Sequence, residues 1–251
     1  MGYNTCDAIQ ASTAKSLYNM MSIPFEKVDG KGVSLNDLQF SDATAGRATS
    51  ADQIKLWVVQ ENGSYDYETW YYQSAKNGWL LSGGKTTDTF DSKYPNGLPA
   101  GTTFWYKSAQ RAVAGTLTTS GAVAADESVT VTIKRDSYNF VGYPYPVALN
   151  LNDANMVNWG DAVSGRATSA DQIKLWLPKD DGSYDYETWY YQSAKNGWLL
   201  SGGKATDTFQ SVHPEGVKVG TGFWYKAAAK SGSETFDVTF ISPLAPTESA
   251  E

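Results

Sequence analysis

A segment of 23 residues occurs twice in this chain without a single change. The segment, GSYDYETWYYQSAKNGWLLSGGK, spans residues 63–85 and recurs at 182–204. The match extends further, because 49 of the 64 positions in 46–109 are identical to 165–228 in an alignment without gaps. Such identity indicates an internal duplication whose period is much longer than the roughly 20–50 residues of a solenoid repeat. Each copy is therefore expected to build a core of its own.

The duplication predicts two tandem, homologous domains in a chain of 251 residues. Upstream of the closest match, YNMMSIPFEKV from Tyr18 parallels YNFVGYPYPV from Tyr138. The boundary is expected in the small-residue stretch TTSGAVAADE. We therefore predict a first β repeat domain over residues 1–123 and a second over 124–251, the second ending in a short C-terminal tail.

Both units have the sequence character of β-strands joined by turns. Runs rich in Val, Ile, Thr, Tyr and Trp alternate with clusters of Gly, Asn, Asp and Ser, and helical periodicity is scarce. In SVTVTIK and DQIKLW, apolar residues recur at every second position. The repeated segment predicts a hairpin with its turn at Asn77-Gly78. The predicted fold class is all-β, with about six to eight strands per unit in a β-sandwich or small barrel.

Charge and composition limit the partners and the cellular location. The net charge of -7 and the pI near 4.8 disfavour nucleic acid. No apolar run approaches the roughly 20 residues of a membrane span, so none is predicted. Cys6 is the only cysteine, which excludes a disulfide within the chain. We expect an extracellular or bacterial cell-surface protein whose signal peptide has been removed ahead of MGYNTCDAIQ.

The residues typical of enzyme active sites are scarce. His213 is the only histidine, and Tyr94 stands at its place in the first unit, so no Cys–His pair or Ser–His–Asp triad is repeated. The alternative is a glycosidase that uses Glu68 and Glu187 beside aromatic side chains. Since carboxylates on strands commonly face solvent, we predict a protein that is not an enzyme and has no catalytic residues.

No metal site or cofactor is predicted, because one histidine and one cysteine cannot supply the usual ligands of a transition metal. Calcium is the alternative, since Asn and Asp residues cluster beside a predicted short turn in each unit. They are Asn36, Asp37 and Asp42 in the first unit and Asn152, Asp153 and Asp161 in the second. Their spacing differs from that of an EF-hand, which favours a hydrogen-bonded loop.

Aromatic residues are abundant, with nine Trp and sixteen Tyr. A small β domain without disulfides needs large apolar side chains in its core, and Trp57, Trp70 and Trp105 are predicted to lie there. Strand alternation puts several tyrosines of the repeated segment on the face opposite Trp70. The candidate ligand-binding or interface residues are Tyr65, Tyr67, Tyr71, Trp79, Tyr184, Tyr186, Tyr190 and Trp198.

The motifs YNFVGYPYP, LNLNDAN, ADQIKLW, YETWYY, NGW and TGFWYKA together resemble the tandem β repeats of uncharacterised secreted proteins from verrucomicrobial and planctomycete-type bacteria. A more distant similarity links them to surface-protein domains that carry sorting signals. The resemblance covers 18–107 and 138–226. It implies export and a structural or adhesive role, and it assigns no catalytic residue.

We predict a structural surface protein whose paired domains assemble head-to-tail with other copies of the chain into a filament, layer or matrix. The N-terminal strand containing Tyr3, Thr5 and Ile9 is the candidate assembly strand, since an unpaired strand can extend a neighbour's sheet. The alternative is a tandem carbohydrate-binding module in which exposed Tyr and Trp stack on glycans. The expected partners are thus the chain itself or glycans.

Overall fold

The computed structural model describes residues 2–9, 12–60, 63–74, 78–179, 183–195 and 197–243. Strands dominate this part of the chain and its helices are single turns, which confirms the all-β prediction. None of the helices among these residues combines the length and apolar character that a membrane span requires. Asn77, at the predicted hairpin turn, lies outside the described residues.

Sixteen strands follow one another along the described chain. We call β1–β8 the first half: β1 (Gly2–Ile9), β2 (Leu17–Ser22), β3 (Gln39–Phe40), β4 (Gln53–Val59), β5 (Tyr65–Gln73), β6 (Gly78–Leu81), β7 (Thr103–Ser108) and β8 (Gly115–Gly121). We call β9–β16 the second half: β9 (Ser128–Lys134), β10 (Ser137–Gly142), β11 (Val157–Asn158), β12 (Gln172–Pro178), β13 (Tyr184–Gln192), β14 (Gly197–Leu200), β15 (Gly222–Ala227) and β16 (Thr235–Ile241). Two helical turns are α1 (Phe90–Lys93) and α2 (Phe209–Val212). The described residues also contain the 3-10 turns Leu35–Asp37 and Ser193–Lys195.

The strands form four antiparallel sheets whose order is the same in both halves. The first half contains a three-stranded sheet, β1-β8-β3, and a five-stranded sheet, β2-β7-β4-β5-β6. The second half contains β9-β16-β11 and β10-β15-β12-β13-β14. The boundary predicted at residue 123 falls between β8 and β9, and the division into two independent domains stays a prediction.

One hydrophobic cluster in each half joins the small sheet to the large one. In the second half, Ile133 and Phe236 of the three-stranded sheet share a cluster with Trp189 and Phe223 of the five-stranded sheet. In the first half, Leu117 of the three-stranded sheet shares a cluster with Trp70 and Phe104 of the five-stranded sheet. The two sheets of a half are separate and pack as layers, which is the arrangement of a β-sandwich rather than a closed barrel.

A buried carboxylate fixes the start of β4 and of β12. Asp171 accepts hydrogen bonds from the Tyr225 hydroxyl at 2.6 Å, the Ala228 amide at 2.7 Å and the Val163 amide at 3.1 Å. Burial, and after it the charge of Asp171, raises the pKa of Tyr225 well above its usual range. Asp52 occupies the same position in the first half. Each carboxylate thereby ties its loop to the five-stranded sheet.

Candidate functional site

The two halves meet through an aromatic cluster on the outer faces of their five-stranded sheets. The cluster contains Met20, Trp57 and Trp105 of the first half and Phe140, Trp176 and Trp224 of the second. Trp57 and Trp105 were expected between the sheets of their own half; they lie instead between the halves. Trp70, the third tryptophan assigned to the core, is fully buried there as predicted.

Equivalent residues of the two halves make reciprocal contacts across this interface. Trp57 lies edge-on to Trp224 with ring centroids 5.5 Å apart, and Trp176 lies edge-on to Trp105 at 5.7 Å. Trp57 corresponds to Trp176, and Trp105 corresponds to Trp224, in the duplication. The same surface of each half is therefore used on both sides, as in a two-fold dimer. An interface of this kind closes on itself and cannot pass to a third copy.

The duplicated sequence differs where the two sheets approach most closely. Thr103 of the first half faces Gly222, its own counterpart, and Ser22 faces Gly142. A Cβ on Gly222 would lie 2.8 Å from Thr103 Oγ1 and would overlap the methyl group of that side chain. Glycine in a strand commonly marks such a close approach. One half thus supplies side chains and the other supplies the space for them.

Away from the interface, the outer face of each five-stranded sheet carries a row of tyrosine, lysine, glutamine and tyrosine. In the first half, Tyr18 of β2 lies opposite Lys107 of β7, which lies opposite Gln53 of β4 and then Tyr71 of β5. Three strand spacings separate the ends of this row, a distance of about 14 Å. In the second half the same row is Tyr138, Lys226, Gln172 and Tyr190.

A second lysine and a third tyrosine extend each row toward the interface. We define the first Tyr–Lys face as Tyr18, Gln53, Lys55, Tyr67, Tyr71 and Lys107. The second Tyr–Lys face is Tyr138, Gln172, Lys174, Tyr186, Tyr190 and Lys226. The two faces are identical in residue type, and every member of one has its counterpart in the other.

Four tyrosines of these faces are among the most exposed large side chains of the described chain. Tyr18 is 37% exposed and Tyr67 36%, while Tyr138 is 41% and Tyr186 39% exposed. Trp105 holds Tyr67 in place by donating its indole hydrogen to the Tyr67 hydroxyl at 3.0 Å. Partial burial raises the pKa of Tyr67, and the nearby hydroxyls of Tyr186 and Tyr18 raise it further. Tyr67 packs on Trp57 and Tyr186 packs on Trp176, and because both tryptophans belong to the cluster between the halves, the two faces border the same interface.

The structure separates the candidate residues into three groups. Tyr67, Tyr71, Tyr186 and Tyr190 belong to the Tyr–Lys faces. Tyr65 and Tyr184 stack on Trp57 and Trp176, with centroid distances of 5.9 Å in both cases, and they line the edge of the interface. Trp79 and Trp198 are 2% and 0% exposed and belong to the cores. These two tryptophans are too deeply buried to stack on a ligand, so we remove them from the candidate site.

The candidate assembly strand is paired within its own chain. In β1, Tyr3 lies opposite Ser120, Thr5 lies opposite Thr118, and Ile9 is fully buried. Strand β1 thereby takes the position in the first half that β9 takes in the second. The expectation of a free N-terminal strand is corrected accordingly: β1 is an edge strand with one paired side.

The repeated carboxylates hold local structure together. Glu187 accepts hydrogen bonds from Trp189 Nε1 at 2.8 Å and His213 Nε2 at 2.6 Å. Burial tends to raise the pKa of Glu187, but these bonds and the charge of His213 outweigh it, and the pKa is lowered. In the first half, Glu68 accepts from Trp70 at 2.9 Å and from Tyr94 at 3.0 Å. Both glutamates thus anchor the indole of a core tryptophan.

The residues considered for calcium also have protein partners. Asn36 and Asn152 accept hydrogen bonds from the backbone amides of Trp79 and Trp198, at 3.2 and 2.7 Å. Asp37 caps its own 3-10 turn by accepting from the Ser34 amide. Within the described ranges, no group of three or more His, Cys, Asp or Glu side chains is arranged to hold a metal ion. The geometry fits hydrogen-bonded loops.

Sequence reasoning missed four of the six residues of each Tyr–Lys face. Lys55 and Lys107, with their counterparts Lys174 and Lys226, are conspicuous only after strands β2, β7 and β4 are placed side by side. A signal was present in DQIKLW and FWYK, which are identical in both copies and carry lysine on the same face as tryptophan.

No protein-family profile, curated protein or solved structure matches the chain.

Proposed function

We propose that the chain is a non-catalytic carbohydrate-binding protein of the cell surface or extracellular medium, with the two Tyr–Lys faces as its glycan platforms. The observation that carries the proposal is the presence of two equivalent faces, each with two tyrosines between 36% and 41% exposed. The exported location is the part of the proposal that rests on the resemblance to secreted repeat proteins.

The chemistry of each face suits a sugar chain. The C–H bonds on the flat side of a sugar ring interact favourably with the negative face of an aromatic ring, and a phenol adds a hydrogen-bonding group at its end. Tyr18 and Tyr71 stand at the two ends of a row about 14 Å long. A row of this length accommodates an extended oligosaccharide, and its contacts come from the tyrosines and lysines because Gln53, in the middle of the row, is buried.

Two faces that border the same interface provide a reason for the duplication. A single aromatic platform binds a sugar chain weakly, whereas two platforms on one rigid body raise the apparent affinity when both engage the same polymer. The contacts between the halves hold the platforms in a fixed relation. They include the contact of Trp57 with Trp224 and that of Trp105 with Trp176. The structural partners of Glu68 and Glu187 further support binding rather than glycoside hydrolysis.

Binding to a panel of purified polysaccharides tests this proposal. The variants are Tyr67→Ala/Tyr71→Ala, which alters one face, and the fourfold variant that adds Tyr186→Ala/Tyr190→Ala. The control is Val113→Ala, an exposed residue outside both faces. We expect the twofold variant to keep weak binding and the fourfold variant to lose about a hundredfold or more in apparent affinity. A fourfold variant that binds like the control contradicts the proposal.

Self-assembly is a second candidate function, favoured by the edge strands β1 and β9. In the three-stranded sheets each of them pairs on one side only. Ser128, Thr130 and Thr132 of β9 are exposed, and its β-branched sequence contains no proline. Pairing of β9 with β1 of the next chain would be head-to-tail and would not close.

Light scattering followed by electron microscopy tests this second candidate. Lysine at Thr130 and Thr132 adds charge to the edge of β9 without removing any strand of the fold. We expect filaments or sheets from the unaltered protein and their loss in the Thr130→Lys/Thr132→Lys variant. A protein that stays monomeric at every concentration refutes the candidate.

A further inference from the structure

The lysines of each Tyr–Lys face stand together on one surface, without a carboxylate partner among the described residues. Salt bridges connect Lys27, Lys31, Lys93, Lys179 and Lys230 to nearby Asp or Glu side chains. Within the described part of the chain, the four lysines of the faces form no salt bridge: Lys55, Lys107, Lys174 and Lys226. Four unpaired cations are therefore gathered on two small surfaces of a chain with a net charge of -7.

The lysines of each face stand close to each other and to the exposed tyrosines. Lys55 lies opposite Trp105 and hence diagonally across from Lys107, which corresponds to a Cα separation of about 7–8 Å. Lys55 Nζ lies 5.9 Å from the centroid of Tyr67, and Lys107 Nζ lies 6.0 Å from that of Tyr18. The rings of Tyr67 and Tyr18 thus each have an ammonium group over them.

The second face repeats the contact of Lys107 with Tyr18, whereas Lys174 donates a hydrogen bond to Thr188 in place of the contact that Lys55 makes with Tyr67. Lys226 Nζ lies 5.8 Å from the centroid of Tyr138, and Lys174 Nζ lies 3.4 Å from Thr188 Oγ1. Partial burial, and after it the charge of Lys226, lowers the pKa of Lys174. Burial and Lys107 lower the pKa of Lys55 in the same way. The two ammonium groups of a face repel each other, and an anion placed between them would relieve that repulsion.

We propose that each Tyr–Lys face binds an anionic glycan, with a carboxylate or sulfate group of the sugar chain held between the two lysines. The inference rests on the proposed function and adds the charge of the ligand to it. The tyrosines contact the sugar rings, and the lysines select chains that carry acidic groups. The negative charge of the rest of the protein disfavours the phosphate backbone of nucleic acid.

The test compares three kinds of polymer with the full-length protein. Polygalacturonate and a sulfated galactan are charged glycans, and dextran and a neutral β-glucan are uncharged ones. The third kind is anionic polymers that are not glycans: polyglutamate, which has no sugar rings, and oligo(dT), which has a phosphate backbone. The variant Lys55→Met/Lys174→Met removes one charge per face and keeps an unbranched apolar stem. Lys218→Met, an exposed lysine outside both faces, is the control.

We expect the charged glycans to bind best. Their affinity should fall as the salt concentration rises from about 50 to 500 mM, since salt screens the attraction between the lysines and the acidic groups. The double lysine variant should lose roughly tenfold to a hundredfold in affinity for charged glycans, because a hydrogen bond to a charged group is lost on each face. The same variant should bind neutral glycans, if at all, as the Lys218→Met control does.

The possible failures separate the inference from the proposed function. Equal binding of neutral and charged glycans, with no effect of the lysine variant, overturns the anionic ligand and leaves the glycan platforms intact. Binding of polyglutamate or oligo(dT) as tightly as polygalacturonate also overturns the inference, because the faces would then recognise charge alone. If the fourfold tyrosine variant binds glycans as tightly as the unaltered protein, or if no glycan binds at all, both the inference and the proposed function are overturned.

Discussion

The contact between Thr103 and Gly222 gives a sharp test of how the two halves fit together. Replacing Gly222 with threonine restores the residue of the first copy and adds three non-hydrogen atoms to a closed space. A Cβ at that position would lie 2.8 Å from Thr103 Oγ1 and 3.0 Å from Thr103 Cβ. Both distances are shorter than ordinary contact, and Thr103 is itself only 4% exposed, so it has little room to move.

The expected cost of Gly222→Thr is about 1–3 kcal/mol of unfolding free energy, the usual range for overpacking. The swapped variant Thr103→Gly/Gly222→Thr exchanges the side chain and the space between the halves. We expect the swap to recover much of this loss, with a coupling energy of about 1–2 kcal/mol in the double-mutant cycle. Thr103→Gly alone completes the cycle as the matched control.

Denaturant unfolding monitored by tryptophan fluorescence measures these differences, because Trp105 and Trp224 lie beside the contact. A Gly222→Thr variant as stable as the unaltered protein would refute the close approach of the sheets. A swapped variant whose destabilisation equals the sum of the two single changes would refute the reciprocal fit.

Three further predictions concern the cores and the buried carboxylates. Asp171→Asn should lower the unfolding free energy by about 1–3 kcal/mol, because the new NH2 group would face a hydrogen-bond donor, such as the Tyr225 hydroxyl, where the carboxylate accepts a hydrogen bond. Denaturant unfolding measures this loss, and an unchanged midpoint would contradict the structural role of Asp171. Trp79→Ala should cost about 3–5 kcal/mol as a core truncation. Replacing the half-buried Tyr71 with alanine should cost less, about 1 kcal/mol; equal costs would contradict the assignment of Trp79 to the core and Tyr71 to the surface. The lowered pKa of Glu187 stabilises the fold above the unfolded-state pKa near 4.3, and this contribution is lost as pH falls through the folded-state pKa. The melting temperatures of wild type and Glu187→Gln should therefore differ at pH 6 and converge toward pH 3, and a constant difference would contradict this account.

Local patterns in the sequence predict the strands and the faces of their side chains. Alternation in YDYETWYY places Trp70 inside and Tyr67 outside, and the structure agrees on both. Identity between the copies likewise predicts the same strand order in each half, which the sheets show. These features depend on neighbours in sequence, or on the comparison of one copy with the other.

The arrangement between strands and between halves is not encoded locally. Alternation puts Trp57 on the face of Lys55, opposite the core residues Ile54 and Leu56, but it does not say that this face packs against the other half. The Tyr–Lys faces depend on the pairing of β2 with β7, which are separated by some eighty residues of chain. Gly222 in place of threonine and Gly142 in place of serine are local signs of the interface, and their meaning requires knowing what faces them.

The most direct measurement of the central claim is an NMR titration of the full-length protein with a short oligogalacturonate. We predict that backbone and tyrosine ring signals shift at the two Tyr–Lys faces, on β2, β4, β5 and β7 and on their counterparts β10, β12, β13 and β15. The signals of the edge strands β1 and β9 should stay in place. Shifts confined to those edges or to other loops, or no shifts with any oligosaccharide, would contradict the assignment of these faces as glycan platforms.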